Sequence, residues 1–245
     1  MSNSSRWNTL TDDPNNLSAV QERMRWLSLV KSGSKLDRIE YLTILAKGKK
    51  VLDVGIVEHS RDFVNTSSWL HQYIAKASSE CLGVDILNEE VEYIKTLGFN
   101  VRCHDLTQSP LNDTFELIIC GEVLEHIDSP GAFLKNLKEM LSPSGIIAIT
   151  VPNPWYINAS IKASFGHEPF VDSVDHVSWY DAATIMELGS RCGLHLTKYS
   201  YFNITAASFR SFKANLLFRL KPLWLAFGCK PELFSKTLVY EFQRN

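Results

Sequence analysis

Apolar residues recur along the chain at two different spacings. Residues 17–30 and 36–46 carry apolar side chains three or four positions apart, which predicts two helices. From residue 50 onward, short apolar runs alternate with helically spaced segments. The predicted strands are residues 50–54, 80–85, 100–103, 116–120, 145–151, 194–202 and 237–242, and the predicted helices among them are residues 69–77, 89–97, 122–126, 131–141 and 181–192.

This alternation of strands and helices indicates the fold class. Strands that are joined to helices through short connections form a mainly parallel sheet with helices on both faces. We therefore predict an α/β fold. In such sheets ligands bind beyond the carboxyl ends of the strands, so the residues that follow each strand are the candidates for a site.

Two acids and a glycine stand at three of the predicted strand ends. Gly55 follows the first strand, where a residue without a side chain lets the backbone approach a ligand closely. Asp85 ends the second strand, where a carboxylate can accept hydrogen bonds from ribose hydroxyls. Asp105 follows the third strand and can accept from the exocyclic amine of adenine. An ordinary turn or a helix cap is the alternative interpretation of each residue.

The composition narrows the class of protein. The 245 residues are 45% hydrophobic and 21% charged, which is typical of globular proteins and excludes collagen-like, disordered and disulfide-scaffold classes. The net charge of −2 leaves no basic excess for nucleic-acid binding. The five cysteines include no C-x-x-C pair, which argues against a disulfide framework and a zinc knuckle. Together with a polar N-terminus, this cysteine usage predicts a cytoplasmic protein.

Five motifs follow one another in a characteristic order: VLDVG (51–55), GVD (83–85), HDL (104–106), FELIICGEVLEHI (115–127) and LSPSGIIAITVPNP (141–154). Over residues 45–202 the chain thereby resembles class I S-adenosylmethionine-dependent methyltransferases. It is most similar to the branch of ubiquinone-type O-methyltransferases and polysaccharide-cluster methyltransferases. The resemblance implies a Rossmann-like, seven-stranded, mostly parallel sheet whose last strand is antiparallel. It also implies N-terminal helices (1–47), a methyltransferase core (48–202) and an insertion with the last strand (203–245).

The resemblance further implies where S-adenosylmethionine binds. It assigns Asp53 and Gly55 to the methionine part, Asp85 to the ribose, Ile86, Asp105 and Leu106 to the adenine, and Cys120 and Gly121 to backbone contacts with the methionine part. One departure stands out, because relatives carry G-x-G-x-G in the first loop and this chain has Gly55-Ile56-Val57-Glu58-His59. The alternative hypothesis is therefore a non-catalytic S-adenosylmethionine-binding or scaffold protein.

The segment after the fourth strand carries a set of metal-ligating residues. On the predicted helix, Glu122, Glu125 and His126 share one face. With His176 they resemble the divalent-metal set of small-RNA 2′-O-methyltransferases, which implies Mg²⁺ or Mn²⁺. The alternative is that these side chains only pair with their neighbours. His126, His176 and His167 are also the candidates for a general base that removes a hydroxyl proton.

The acceptor class follows from the resemblance alone. We predict O-methylation of a hydroxyl on a sugar or polysaccharide-pathway acceptor, or on another small molecule. Residues 203–236 mix aromatic residues with Arg and Lys. They predict either a packed helical insertion, serving as a lid or dimer surface, or a basic amphipathic element that contacts an anionic membrane.

Overall fold

The computed structural model describes residues 11–58, 60–165, 173–202 and 219–245. These residues form one eight-stranded sheet in the order β1-β7-β8-β6-β5-β2-β3-β4. The strands are β1 (Lys31–Ser34), β2 (Lys50–Val54), β3 (Glu80–Asp85), β4 (Val101–Cys103), β5 (Phe115–Gly121), β6 (Leu141–Pro152), β7 (Leu194–Phe202) and β8 (Thr237–Arg244). The predicted α/β class, with a mostly parallel sheet, is confirmed.

The last strand runs against its neighbours, as predicted. β8 pairs antiparallel with both β6 and β7, whereas β2, β3, β4, β5 and β6 pair in parallel. The predicted number of seven strands is corrected to eight, because β1 adds a parallel edge strand beside β7. Its four residues, KSGS, are small or polar and show no strand periodicity. Gly33 lies close under Tyr201, since a Cβ at this position would be 2.7 Å from Tyr201 Oη and the tyrosine side chain would have to shift.

Helices cover both faces of the sheet. They are α1 (Leu17–Val30), α2 (Arg38–Ala46), α3 (Leu70–Ala77), α4 (Asn88–Thr96), α5 (Pro130–Glu139), α6 (Ile157–Ser164), α7 (Ala182–Arg191) and α8 (Lys221–Ala226). Single 3₁₀ turns occur at Arg61–Phe63, Leu124–His126 and Pro231–Phe234. Side-chain caps define several helix starts, such as the capping boxes of Asp37 with Glu40 and of Asp181 with Thr184.

Alternating residues of β5 pack into the two layers of the core. Leu117 and Ile119 face the layer that contains α2 and α3, and Ile118 and Cys120 face the layer that contains α5 and α7. Cys120 is therefore fully buried among apolar side chains. Its thiol cannot reach a ligand beyond the strand end, although its backbone lies one residue from that end.

The segment 122–126 differs from the predicted helix. The observed element is a 3₁₀ turn that begins only at Leu124, and Glu122 precedes it with a φ of 58°. Glu122 therefore does not share a helical face with Glu125 and His126. The cause is local packing, since Val123 lies directly against Gly55 of the neighbouring strand end.

The far end of the predicted insertion packs on the body of the protein. Phe234 is fully buried and forms a small apolar cluster with Ile157, and Trp224 packs against that cluster. Leu223 and Phe227 of the same region are exposed. Residues 203–218 lie outside the described part of the chain. No helix in the described ranges is long and apolar enough to cross a bilayer.

Candidate active site

A cavity of about 560 Å³ opens at the carboxyl ends of β2, β3, β4 and β5. Its walls include all the predicted cofactor-binding residues except Cys120: Asp53, Gly55, Asp85, Ile86, Asp105, Leu106 and Gly121. The Cys120 side chain points into the core, whereas the contact predicted for this residue is through its backbone, one residue from the end of β5. The cavity is large enough for a nucleoside-sized ligand.

Gly55 brings two walls of the cavity together. Its φ is +78°, and a Cβ on this residue would lie 2.2 Å from Val123 Cγ2. The side chain of Val123 therefore occupies the space beside Gly55, and the loop after β2 packs directly against the segment after β5. Gly121 is less crowded, with a hypothetical Cβ 3.2 Å from Leu70 Cδ2 and 3.8 Å from Arg38 Nη1.

Asp85 is bonded to the loop that lacks the usual glycines. Its Oδ2 accepts a hydrogen bond of 3.0 Å from the backbone N–H of Val57. Its Oδ1 accepts from the N–H groups of Ile86, at 2.8 Å, and Leu87, at 3.1 Å. Since each carboxylate oxygen offers two lone pairs, Oδ2 keeps one for a ligand. The loop thus follows a path that the Asp85 carboxylate stabilises.

Asp105 is held as an ionised acceptor. Its Oδ1 accepts from the hydroxyl of Thr107 at 2.7 Å and from the Thr107 N–H at 2.8 Å. Hydrogen bonding by the Thr107 side chain is the main reason that the pKa of Asp105 lies below its usual value. Beside it, Leu106 is buried and Ile86 is two-thirds exposed, which gives the cavity an apolar wall.

Two charged residues missed at the sequence level, Arg38 and Glu58, also line the cavity, together with Glu122, which was predicted as a metal ligand. Arg38 Nη1 lies 3.9 Å from Glu122 Oε1 and donates a 3.4 Å hydrogen bond to Thr150 Oγ1. Glu58 and Glu122 both have left-handed backbone conformations, with φ of 51° and 58°. Such strain in non-glycine residues concentrates at functional sites. Burial is the main cause that raises the pKa of Glu58.

A buried pair lies in the wall formed by β2 and α3. His71 Nδ1 is 2.9 Å from Asp53 Oδ2, and both side chains are almost wholly buried. At the sequence level His71 counted only as one residue of a predicted helix. Its partner precedes it by 18 residues, so no local spacing indicated the contact.

Imidazole and carboxylate groups gather where β5 ends. His126 Nδ1 lies 3.0 Å from Asp175 Oδ2, and both residues line the cavity. The rings of His126 and His176 meet edge to face with centroids 4.7 Å apart. Glu125, His126 and His176 each place one ligand atom within 4.8 Å of the others. Three of the four predicted metal ligands are thus together, while Glu122 lies beside Arg38.

Glu125 is the buried member of this group. Its side chain is 2% exposed, and neither carboxylate oxygen has a partner among the described residues. Burial is the main cause that raises its pKa to about 8. Its backbone carbonyl accepts from the N–H of Val177, at 2.9 Å, which ties the segment carrying His176 to the strand end. His167 lies outside the described residues.

A family profile described as "Methyltransferase domain" matches residues 22–199, which is most of the chain. This chain belongs to the S-adenosylmethionine-dependent methyltransferases. The methyltransferase is 23% identical over 179 residues to a ubiquinone biosynthesis O-methyltransferase from Actinobacillus pleuropneumoniae, a match that covers 60% of this chain and 71% of that protein. It is 29% identical over 137 residues to the Coxiella burnetii protein of that description, covering 51% and 52% of the two chains.

Solved structures share the fold of this methyltransferase. An S-adenosylmethionine-dependent methyltransferase from Archaeoglobus fulgidus superposes with a TM-score of 0.57 at 15% identity, covering 94% of this chain and 95% of that one. Magnesium protoporphyrin IX methyltransferase from Synechocystis PCC 6803 gives a TM-score of 0.55 at 14% identity, covering 98% and 93%. At these identities the likeness concerns the fold alone.

Proposed function

We propose that this methyltransferase methylates a hydroxyl oxygen on a sugar or another small acceptor. The observation that carries the proposal is the His126–Asp175 pair at the cavity wall, 3.0 Å apart. A hydroxyl has a pKa far above 7, so its attack on a methyl group is assisted by a base that takes the proton. An imidazole oriented by a carboxylate is suited to that task.

The cavity fits S-adenosylmethionine by its donors and acceptors. S-adenosylmethionine supplies a methyl group on a sulfonium sulfur. The remaining acceptor site of Asp85 Oδ2 suits a ribose hydroxyl, and the ionised Asp105 suits the adenine amine. Arg38 offers a guanidinium for the carboxylate of the methionine part. Gly55 and Gly121, which also line the cavity, are assigned to backbone contacts with that part.

The His126–Asp175 pair then handles the proton. Asp175 beside Nδ1 favours the tautomer in which Nδ1 carries the hydrogen, so that Nε2 remains an acceptor. Nε2 takes the hydroxyl proton while the acceptor oxygen forms its bond to the methyl carbon. The electrons of the broken sulfur–carbon bond stay on sulfur and leave a neutral thioether. His126 later returns the proton to water.

An aromatic side chain beside His176 favours a sugar acceptor. Trp179 is 44% exposed, and its ring lies edge to face on His176 at 6.0 Å. Amphipathic ring faces of this kind bind ligands that are apolar on one side and hydroxylated at the edge. The competing acceptor is a phenolic or quinone-like molecule, by analogy with the ubiquinone biosynthesis relatives.

A divalent ion on Glu125, His126 and His176 is a second proposal for the same cluster. The two unpartnered, buried oxygens of Glu125 and the unpartnered Nδ1 of His176 fit a ligand set. One carboxylate with two imidazoles suits Mn²⁺ better than Mg²⁺, which prefers oxygen ligands alone. An ion there would act as a Lewis acid on the acceptor hydroxyl.

The test begins with the cofactor and then compares acceptors. Calorimetry with S-adenosylmethionine should give saturable heat, since a scaffold that had lost the site would give none. Transfer of labelled methyl groups should then be measured to free hexoses, amino sugars, nucleotide-linked sugars and catechol. Labelled sugar ethers support the favoured acceptor class, labelled catechol supports the phenolic one, and labelled amines without labelled ethers overturn O-methylation.

A further inference from the structure

One buried histidine in the cavity wall has an unused nitrogen. His71, on α3, is 2% exposed and borders the cavity. Its Nδ1 contacts Asp53 Oδ2 at 2.9 Å, but its Nε2 has no partner among the described residues. Buried polar atoms are nearly always hydrogen-bonded, so an orphaned nitrogen on a residue that lines a ligand cavity indicates a ligand group.

The surroundings hold the His71 ring in one orientation. A Cβ on Gly83 would lie 2.7 Å from His71 Cε1, so a glycine is needed on β3 for the ring to fit. The rings of Trp69 and Phe99 flank it with centroids 5.4 Å away. The imidazole therefore has little freedom to turn, and Nε2 stays where this packing puts it.

The contact with Asp53 determines what Nε2 can bind. An ionised carboxylate only accepts hydrogen bonds, so Nδ1 donates and Nε2 of the neutral ring is an acceptor. Asp53, itself part of the cavity wall, adds a negative charge. An acceptor nitrogen beside a carboxylate, both removed from water, is a site for a small cation with N–H donors.

We infer that the His71–Asp53 pair binds the α-ammonium group of the cofactor's methionine part. This inference rests on the proposed cofactor placement, in which Arg38 takes the carboxylate of the same part. The two ends of the amino-acid group then meet opposite charges: the guanidinium on α2, and the imidazole–carboxylate pair of α3 and β2. His71 is thereby a cofactor-binding residue, and through its bond to Asp53 it also orients the carboxylate.

The experiment compares two ligands on the full chain. S-adenosylhomocysteine carries the ammonium group, whereas 5′-methylthioadenosine lacks the whole amino-acid end. His71→Asn keeps an N–H donor near the position of Nδ1 and removes Nε2. By calorimetry, His71→Asn should weaken S-adenosylhomocysteine about 10–100-fold, as expected for one charge-assisted hydrogen bond. It should leave 5′-methylthioadenosine within about twofold of the wild type.

Two calorimetric results for the variant overturn the inference. If both ligands weaken equally in the variant, His71 is only structural, and if neither weakens, it does not contact the cofactor. If the variant does not fold, the ¹⁵N resonance of His71 Nε2 in the wild type decides. It should shift with S-adenosylhomocysteine and not with 5′-methylthioadenosine, and a resonance that responds alike to both refutes the contact. A wild type that binds neither ligand refutes the proposed function itself.

Discussion

The backbone N–H of Val57 donates to Asp85 Oδ2 across 3.0 Å, so the loop without glycines is bound to the acid at the neighbouring strand end. The carboxylate of Asp85 therefore has two roles in this chain. It accepts a hydrogen bond from the loop, and it lines the cavity. Under the proposed ribose assignment, a change at Asp85 alters the loop as well as the contact with the cofactor.

Asp85→Ala should weaken S-adenosylmethionine binding by roughly 2–4 kcal/mol, since the charge-assisted hydrogen bonds to the ligand and to the loop are lost together. Calorimetric titration measures the change. Asp113→Asn is the matched control, because Asp113 is an exposed acid that pairs with Lys50 and does not line the cavity. An unchanged dissociation constant in Asp85→Ala would rule out the ribose assignment.

His126→Gln should reduce kcat by about 10²–10⁴-fold, the usual contribution of a general base. The dissociation constant for S-adenosylmethionine should stay near the wild-type value, because the base contacts the acceptor. Single-turnover methyl transfer measures the loss of rate, and calorimetry measures the dissociation constant for S-adenosylmethionine. His195→Gln, on β7 and absent from the cavity wall, is the control. Unimpaired turnover in His126→Gln would remove His126 as the base.

The metal proposal is tested by metal content rather than by activity alone. Protein loaded with Mn²⁺ and then desalted should retain the ion, and Glu125→Gln should lose it, because the buried carboxylate is the only anionic ligand of the set. Glu122→Gln is an informative control, since Glu122 lies outside the cluster and beside Arg38. Equal retention by Glu125→Gln and the wild type, measured by electron paramagnetic resonance, would exclude this site.

The stability of the protein should respond to pH through Glu58. Burial is the main cause that raises its pKa, so the folded state binds the Glu58 proton more tightly than the unfolded state. This contribution is present at low pH and is lost as the pH rises through the folded-state pKa. Glu58→Gln, which stays neutral, should gain in Tm relative to the wild type from pH 4 to pH 7.

The control for this pH dependence is Asp62→Asn, a change at an exposed acid in the 3₁₀ turn that follows the same loop. The Tm values of the wild type, Glu58→Gln and Asp62→Asn should be measured by thermal unfolding over one series of buffers of different pH. A difference between Glu58→Gln and the wild type that is constant over the whole pH range contradicts the raised pKa.

The membrane proposal for residues 203–236 predicts binding to anionic vesicles. The described end of this segment exposes Leu223 and Phe227 beside the cations Lys221 and Lys230. The protein should co-sediment with vesicles containing phosphatidylserine at low salt and less at high salt, and not with neutral vesicles. Phe227→Ser should reduce the bound fraction, whereas Phe165→Ser, an exposed aromatic outside the segment, should not. Absence of vesicle binding at low salt contradicts the proposal.

The layout of the sheet could be predicted closely from the sequence. The bounds of β2, β3 and β7 agree with the predicted ones, because β2 and β3 are short segments rich in buried apolar residues and β7 alternates apolar with polar residues. Since the strand order brings the carboxyl ends of β2, β3, β4 and β5 together, residues singled out one strand at a time border one cavity. The local pattern of apolar and polar residues is sufficient to predict strand positions, because burial and backbone direction determine them.

The chemistry inside the cavity depended on contacts between distant segments. His71 reaches Asp53 because Gly83 of a third element leaves room for its ring, and Arg38 reaches Glu122 from a helix that precedes the sheet core. Glu122 left the predicted helical face because its backbone takes a left-handed turn where Gly55 and Val123 touch. The sequence by itself determined which residues follow the strands. Tertiary structure alone decided the pairing of His71 with Asp53 and of Arg38 with Glu122, because hydrogen bonds and close packing act between side chains that meet only after folding.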